Sequence, residues 1–237
     1  MIFVRSLLFA LALALITPPY SLICLVCAPL PPLARYRVIS GWARTMLWIA
    51  GWLLGIRHRV EGLEHLPKQP GIILSKHQSA WETLAFQVIF PEHVQVLKRS
   101  LLWIPFFGWG LALMSPISID RSRGIAALKR MADQGAERLA RGFWIVLYPE
   151  GTRTRPGTKA KYHVGGAWLA VKLGARVVPV AHNAGLFWGK NAFLKHPGEI
   201  RVIIGEPIDP QGMTPEALNR KVEAWIESHM EQMCPAA

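Results

Sequence analysis

One histidine and one glutamate carry the clearest chemical signal in this sequence. His77 and Glu82 lie five positions apart in the stretch GIILSKHQSAWETL, an apolar run that turns polar after Leu74. A histidine becomes an efficient general base when a carboxylate accepts a hydrogen bond from its Nδ1–H. That bond fixes the tautomer and stabilises the imidazolium formed on proton uptake. The pair therefore predicts general-base chemistry.

The helical period restricts how these two side chains can meet. Two residues five apart in one continuous helix point about 140° away from each other. His77 must therefore lie in a loop, with Glu82 in the first helical turn. Ser79 and Glu82 form a capping-box pattern, which starts a helix at Ser79. The same box leaves a second interpretation, in which Glu82 only binds the backbone N–H of Ser79 and His77 is a polar loop residue.

A second polar segment, YPEGTRTRPG at 148–157, follows another apolar run. Its glycine permits a tight turn, and basic side chains crowd the loop: Arg153, Arg155, Lys159 and Lys161. Backbone N–H groups and a guanidinium fork together suit phosphate binding. The alternative is a solvated basic turn. Glu150, lying among these cations, is interpreted as the carboxylate that holds Arg153 in place.

Strands and helices alternate from residue 56 onward. Apolar runs predict strands at 57–60, 72–75, 94–97, 117–119, 143–148, 177–181 and 200–204. Helical patterns occupy 80–90, 124–141 and 165–173, and a last helix starts at Pro215 with Thr214 as its cap. We therefore expect an α/β domain over 56–237, with a mixed, largely parallel sheet flanked by helices. In such sheets chemistry gathers at the carboxyl ends of strands, where both polar segments fall.

Residues 1–55 are expected to form a membrane anchor and an interfacial helix. The stretch 6–34 is uncharged and long enough to cross a bilayer or to lie in one as a bent anchor, interrupted at Pro18 and Pro19. A cleaved signal peptide is the alternative, but no small-x-small cleavage site follows. The segment 41–56 carries three Trp and suits a helix at the interface, with an ordinary buried helix as its alternative.

Composition favours a membrane partner over nucleic acid. The net charge of +12 points to an anionic partner, while 51% hydrophobic residues, ten Trp and a mean hydropathy of +0.25 suit an anionic bilayer. Arginines concentrate after the uncharged stretch, so the rest of the chain is expected to be cytoplasmic. Three cysteines give neither a disulfide framework nor a zinc pattern, and no metal site is expected.

With these segments in order, the chain resembles the 1-acyl-glycerol-3-phosphate acyltransferases of the glycerolipid acyltransferase superfamily, over roughly 56–207. The family's first block is a histidine, four residues and an aspartate; here it is His77 with Glu82. The family's second block contains an arginine after a short strand, matched here by Arg121. The third block is E-G-T/S-R, matched by Glu150, Gly151, Thr152 and Arg153. The fourth is an apolar strand with a proline, matched by Val178, Pro179 and Val180. The glutamate departs from the family pattern by one methylene.

The resemblance implies an acyl transfer to the free hydroxyl of lysophosphatidic acid, giving phosphatidic acid. His77 would take the hydroxyl proton and Glu82 would steady the imidazolium. The acyl donor would be acyl-carrier protein or acyl-coenzyme A, with no cofactor, at the cytoplasmic face of a bacterial inner membrane. The resemblance assigns five residues to the acceptor's glycerol and phosphate: Arg121, Glu150, Gly151, Thr152 and Arg153. Lys98 is added to them from its position in the sequence alone.

Other functions stay open at this stage. The acceptor can be another lysolipid, such as lyso-ornithine lipid, since the motifs do not separate these substrates. A non-enzymatic basic protein binding membrane or nucleic acid is less favoured, because the charge is spread over strand-end loops and no nucleic-acid motif is present. A hydrolase is disfavoured because no G-x-S-x-G elbow occurs. The uncharged segment 100–119 is expected to wall an acyl-chain groove or to be plain core.

Overall fold

A seven-stranded sheet forms the centre of the protein, in a computed structural model that describes residues 1–119 and 124–234. The strands are β1 (Ile56–Glu61), β2 (Ile72–Ser75), β3 (His93–Lys98), β4 (Ile117–Ile119), β5 (Trp144–Leu147), β6 (Val177–His182) and β7 (Gly198–Ile204). Their order is β1-β7-β6-β2-β5-β3-β4, with β6 and β7 antiparallel and the other neighbours parallel. All seven predicted strands and the mixed, largely parallel α/β fold are confirmed.

Seven α-helices accompany the sheet in the residues that the structure describes. They are α1 (Ile2–Val26), α2 (Pro32–Ile49), α3 (Trp81–Ile89), α4 (Phe107–Leu113), α5 (Gly124–Ala140), α6 (Gly165–Leu173) and α7 (Pro215–Met233). The predicted ends are confirmed at two places. The Thr214 hydroxyl accepts a hydrogen bond from Ala217 N at the start of α7, and Gly174 ends α6 with φ +61°, in the left-handed region that glycine adopts without a Cβ penalty.

The two faces of the sheet are covered by different helices. Ile72 and Leu74 of β2 face a core that includes residues of α5, α6 and α7, whereas Ile73 faces a core built with α2 and α3. Alternation along a strand sends successive side chains to opposite faces. Because helices cover both faces, the central strands β2, β5 and β6 are buried throughout. This explains why they read as unbroken apolar runs in the sequence.

Helix α1 runs unbroken through Pro18 and Pro19, where the sequence predicted an interruption. The Thr17 hydroxyl donates to Leu13 O at 2.6 Å and the Ser21 hydroxyl to Thr17 O at 2.8 Å. These two bonds reinforce the helix on either side of the prolines. By length and composition α1 is the one helix in the described ranges that is apolar enough to span a membrane.

The second apolar segment combines the two interpretations given to it. It is divided between the end of α2 and a π-helical turn, Ala50–Leu54. Met46 and Leu54 are buried against the core that α3 shares, while Trp48 and Trp52 are exposed. One face therefore belongs to the core and the other presents tryptophan outward, as an interfacial helix does.

Candidate active site

His77 and Glu82 meet in the arrangement that the sequence required. The His77 Nδ1–H donates to Glu82 Oε1 at 2.8 Å, with His77 in the loop after β2 and Glu82 in the first turn of α3. The same oxygen accepts the backbone N–H groups of Gln78, at 2.9 Å, and Ser79, at 2.8 Å, while the Ser79 hydroxyl accepts from Trp81 N at 3.0 Å. The capping box and the histidine–carboxylate pair therefore coexist on one oxygen, and neither excludes the other.

Burial and hydrogen bonding act in opposite directions on Glu82. Its side chain is fully buried, which by itself favours the neutral acid. The nearby imidazoles of His182 and His77, together with the N–H donors, outweigh that effect and lower the pKa of Glu82 below its ordinary value. Burial lowers the pKa of His182, whose Nε2–H donates to Lys76 O at 2.9 Å. Glu82 is therefore a carboxylate at neutral pH, able to hold a proton on His77 Nδ1.

The loop after β5 fixes the backbone of His77 on both sides. Glu150 Oε2 accepts the His77 backbone N–H at 2.8 Å. The His77 carbonyl accepts from the backbone N–H of Thr154 at 2.8 Å and from its hydroxyl at 3.1 Å. Since the Thr154 hydroxyl also lies 3.1 Å from Glu150 Oε1, these two residues form one bracket around His77.

A buried ion cluster ties this bracket to the last helix. Lys76 Nζ lies 2.7 Å from Glu150 Oε1 and 2.9 Å from Glu227 Oε1, and the Tyr162 hydroxyl donates to the same Glu227 oxygen at 2.7 Å. The Lys76 and Glu150 side chains are 1% and 0% exposed. Burial raises the pKa of Glu150, and the Lys76 ammonium opposes that shift. Breaking such a buried pair is costly, so α7 stabilises the loop that carries His77.

One interpretation of the E-G-T-R segment is wrong. Glu150 does not hold Arg153; its oxygens bind Lys76, the His77 backbone N–H and Thr154. The burial of Glu150 explains the error, because the sequence shows several cations near Glu150 but not which of them is buried with it. Thr152 is exposed, and its hydroxyl lies 3.4 Å from Lys190 Nζ.

A cleft of about 510 Å³ opens in front of His77 and is lined by three of the other predicted residues, Lys98, Gly151 and Arg153. Its walls include Lys98 at the end of β3, Gly151, Arg153, and Gly165 at the start of α6. These positions follow the carboxyl ends of β2, β5 and β3, which are neighbours in the sheet. The predicted binding residue Arg121 lies outside the described residues.

A smaller, mainly apolar cavity of about 160 Å³ adjoins the cleft. Five residues line both spaces: Thr83, Gln95, Leu97, Leu101 and Arg153. The cavity extends between α1, α2, α3, β3 and α4, and the segment 100–119 supplies Leu101, Phe107, Leu111 and other wall residues. The predicted groove wall therefore lines a real cavity.

The sequence reasoning missed three residues that contact His77 or its neighbour. Tyr148 stacks on the His77 ring, Thr154 bonds the His77 carbonyl, and Glu227 reaches the Lys76 ammonium from 151 positions away. Tyr148 and Thr154 flank the E-G-T-R segment, so their position at a strand end could have indicated them. No pattern in the sequence pointed to Glu227. Within residues 1–119 and 124–234, no three His, Cys, Asp or Glu side chains group as metal ligands.

Comparison with known proteins agrees with this arrangement. The family model described as Acyltransferase matches residues 57–183, which include His77, Glu82 and the loop after β5. A 1-acyl-sn-glycerol-3-phosphate acyltransferase of Pseudomonas aeruginosa is 45% identical over 98% of this chain and 92% of its own length. The chain belongs to the 1-acyl-sn-glycerol-3-phosphate acyltransferase family.

More distant members of this acyltransferase family agree. The human 1-acyl-sn-glycerol-3-phosphate acyltransferase alpha is 31% identical over 73% of this chain and 62% of its own length. The crystal structure of a 1-acyl-sn-glycerophosphate acyltransferase from Thermotoga maritima superposes with a TM-score of 0.81, covering 99% of this chain and 96% of that chain. At 22% identity, that likeness shows the fold.

Proposed function

We propose that this acyltransferase moves a fatty acyl group from a thioester to the free hydroxyl of 1-acyl-glycerol-3-phosphate, giving phosphatidic acid. One observation carries the proposal: the His77–Glu82 pair opens on a basic cleft that adjoins an apolar cavity. The cleft suits a phosphate and the cavity suits an acyl chain. The names of the relatives from Pseudomonas aeruginosa and human support the same acceptor.

The hydrogen bond to Glu82 determines which nitrogen of His77 does the chemistry. With Nδ1–H held by the carboxylate, Nε2 carries the lone pair and accepts the hydroxyl proton as the acceptor oxygen attacks the thioester carbonyl. Collapse of the tetrahedral intermediate expels the thiolate, which takes the proton back from His77. Glu82 stabilises the imidazolium between these steps. No acyl-enzyme and no cofactor is needed.

The acceptor phosphate is assigned to the basic wall of the cleft. Arg153 offers a bidentate guanidinium, Lys98 an ammonium, and the first turn of α6 at Gly165 the positive end of a helix dipole. Gly151 allows the turn between the strand and Arg153 with φ +66°. Arg121 joins this group through the family resemblance.

Helix α1 is proposed to lie in one leaflet as an anchor, with residues 1–55 as the membrane-binding part. Both halves of α1 contact the rest of the protein: the Ser6 hydroxyl accepts a hydrogen bond from Lys195 N at 3.0 Å, and the Ser21 hydroxyl oxygen lies 2.9 Å from Phe106 O. A helix crossing the bilayer would carry those partners into the hydrocarbon with it. Its other side exposes apolar residues, and Trp52 and Trp103 are exposed as well, as suits a protein at a membrane interface.

The anchor and the basic cleft support a position at the cytoplasmic face of an anionic inner membrane. The proposed acyl donor is acyl-carrier protein or acyl-coenzyme A.

The deciding experiment is an acyl-transfer assay of the purified protein in phospholipid vesicles, with each donor and a panel of lysolipids. We expect 1-acyl-glycerol-3-phosphate to give the highest kcat/KM. A higher kcat/KM for lyso-ornithine lipid would show that this lipid is the acceptor instead. Failure with every acceptor would contradict the proposed acyltransferase activity.

A further inference from the structure

An aromatic ring lies flat against the candidate base. The Tyr148 and His77 ring centroids are 4.0 Å apart and the two planes differ by 18°. Phe86 lies on Tyr148 as well, at 6.4 Å and 24°. Phe86 is fully buried, so the phenol ring has one aromatic neighbour in the core and another, His77, at the cleft.

The hydroxyl of Tyr148 contributes little to this arrangement. It is buried, and it has no hydrogen-bond partner among the described residues. Burial raises the pKa of Tyr148 well above its ordinary value, with the Glu82 charge acting in the same direction, so the side chain stays a neutral phenol. A neutral, unpartnered hydroxyl leaves the ring face as the part of Tyr148 that His77 meets.

An aromatic face carries partial negative charge and attracts a cation within about 6 Å of its centroid. His77 becomes a cation when it takes the acceptor proton in the mechanism proposed above. We propose that the ring of Tyr148 is a positioning group for His77, which fixes the imidazole plane and stabilises its charged form, while the hydroxyl takes no part. This inference rests on the proposed acyl transfer, since it concerns the base of that reaction.

Other charged and titratable groups also face His77, and they set the background for a test. Glu82 approaches from α3, Glu150 binds the backbone N–H from the loop after β5, and His182 lies on β6. Lys76 precedes His77 in the chain, and Lys98, Arg153 and His163 line the same cleft. A substitution at Tyr148 leaves each of these groups in place, so a change in the pH profile reports the ring itself.

The experiment compares Tyr148→Phe with Tyr148→Leu in the full-length protein in vesicles. We expect Tyr148→Phe to keep kcat within about twofold, because the ring remains. Tyr148→Leu should lower kcat about 3- to 30-fold with a smaller change in KM. It should also move the acidic limb of the kcat/KM profile to lower pH by about 0.5 to 1.5 units, because a less stabilised imidazolium loses its proton more readily.

Phe86→Leu is the matched control, since it removes a buried ring whose centroid lies 6.4 Å from that of Tyr148. It should lower Tm without moving the acidic limb. Should Tyr148→Leu fail to fold, 3,4,5-trifluorophenylalanine at 148 weakens the ring face while keeping its shape, and the same pH shift is expected.

Two results would overturn the inference. One is a tenfold or greater loss of kcat in Tyr148→Phe, which would assign the role to the hydroxyl. The other is an unmoved acidic limb when the ring is removed or fluorinated. An inactive wild-type protein would instead count against the acyl transfer itself.

Discussion

Glu82 Oε1 accepts the His77 Nδ1–H at 2.8 Å and, at the same time, the backbone N–H groups of Gln78 and Ser79, which directly precede helix α3. Placement of this carboxylate is thus tied to the turn that leads into the helix. A carboxylate fixed by three donors needs little reorganisation when His77 becomes charged, which is the condition for effective electrostatic stabilisation. The longer side chain of glutamate, where the family pattern has aspartate, reaches the imidazole and the cap together.

Glu82→Gln tests the charge of that carboxylate. The amide oxygen can still accept the backbone N–H groups, so the fold should be kept, but the imidazolium loses its counter-charge. We expect kcat to fall about a hundredfold or more. Glu82→Asp is the control for reach: it keeps the charge and shortens the chain by one methylene, and its kcat should be intermediate. Wild-type kcat in Glu82→Gln would contradict the role given to Glu82.

Arg153→Ala tests the phosphate side of the cleft. Loss of a charge-assisted hydrogen bond should raise KM for 1-acyl-glycerol-3-phosphate about 10- to 100-fold, with a smaller change in kcat. Arg155→Ala, two positions further along the same loop and exposed, should leave KM nearly unchanged. The measurement is steady-state kinetics at fixed donor concentration. Equal KM values in both variants would show that Arg153 does not bind the phosphate.

Glu227→Gln tests the buried link between α7 and the His77 loop. Lys76 would lose one of its two carboxylate partners in the interior, and we expect the free energy of unfolding to drop by about 3 kcal/mol. Glu223→Gln, on the same helix, removes a half-buried partner of the exposed Lys159 and should cost less than about 0.5 kcal/mol. Denaturant unfolding in detergent gives both values. Similar losses of unfolding free energy in the two variants would contradict the stabilising role given to Glu227.

Gly110→Met tests the acyl cavity. A Cβ at Gly110 would lie 3.6 Å from Cys24 Sγ, an ordinary contact, and both residues line the cavity. The added side chain should reduce kcat/KM for the longest acyl donors about tenfold and favour shorter ones. Gly108 is unsuitable, because a Cβ there would lie 2.4 Å from Leu102 O. Ala112→Met, on the exposed side of the same helix, is the control. If Gly110→Met leaves the preference for acyl-chain length unaltered, the segment 100–119 is part of the hydrophobic core and does not bind the acyl chain.

Local patterns in the sequence were enough for the strands, for the start of α7 and for the meeting of His77 with Glu82. Those features depend on residues close together in the chain. The partner of Glu150 could not be found that way: Lys76 is 74 positions earlier, and only the pairing of β2 with β5 brings the two loops together. Tyr148 was missed for the same reason, because the strand order decides which aromatic ring lies beside His77.

The most direct test of the central claim is the acyl-transfer rate of purified His77→Ala in vesicles, measured beside the wild type. Circular dichroism should show an unchanged fold, because Glu82 keeps its backbone donors at Gln78 and Ser79. We expect kcat to fall at least about a thousandfold, because the variant lacks the imidazole that accepts the hydroxyl proton. A folded His77→Ala protein with kcat within tenfold of wild type would contradict it.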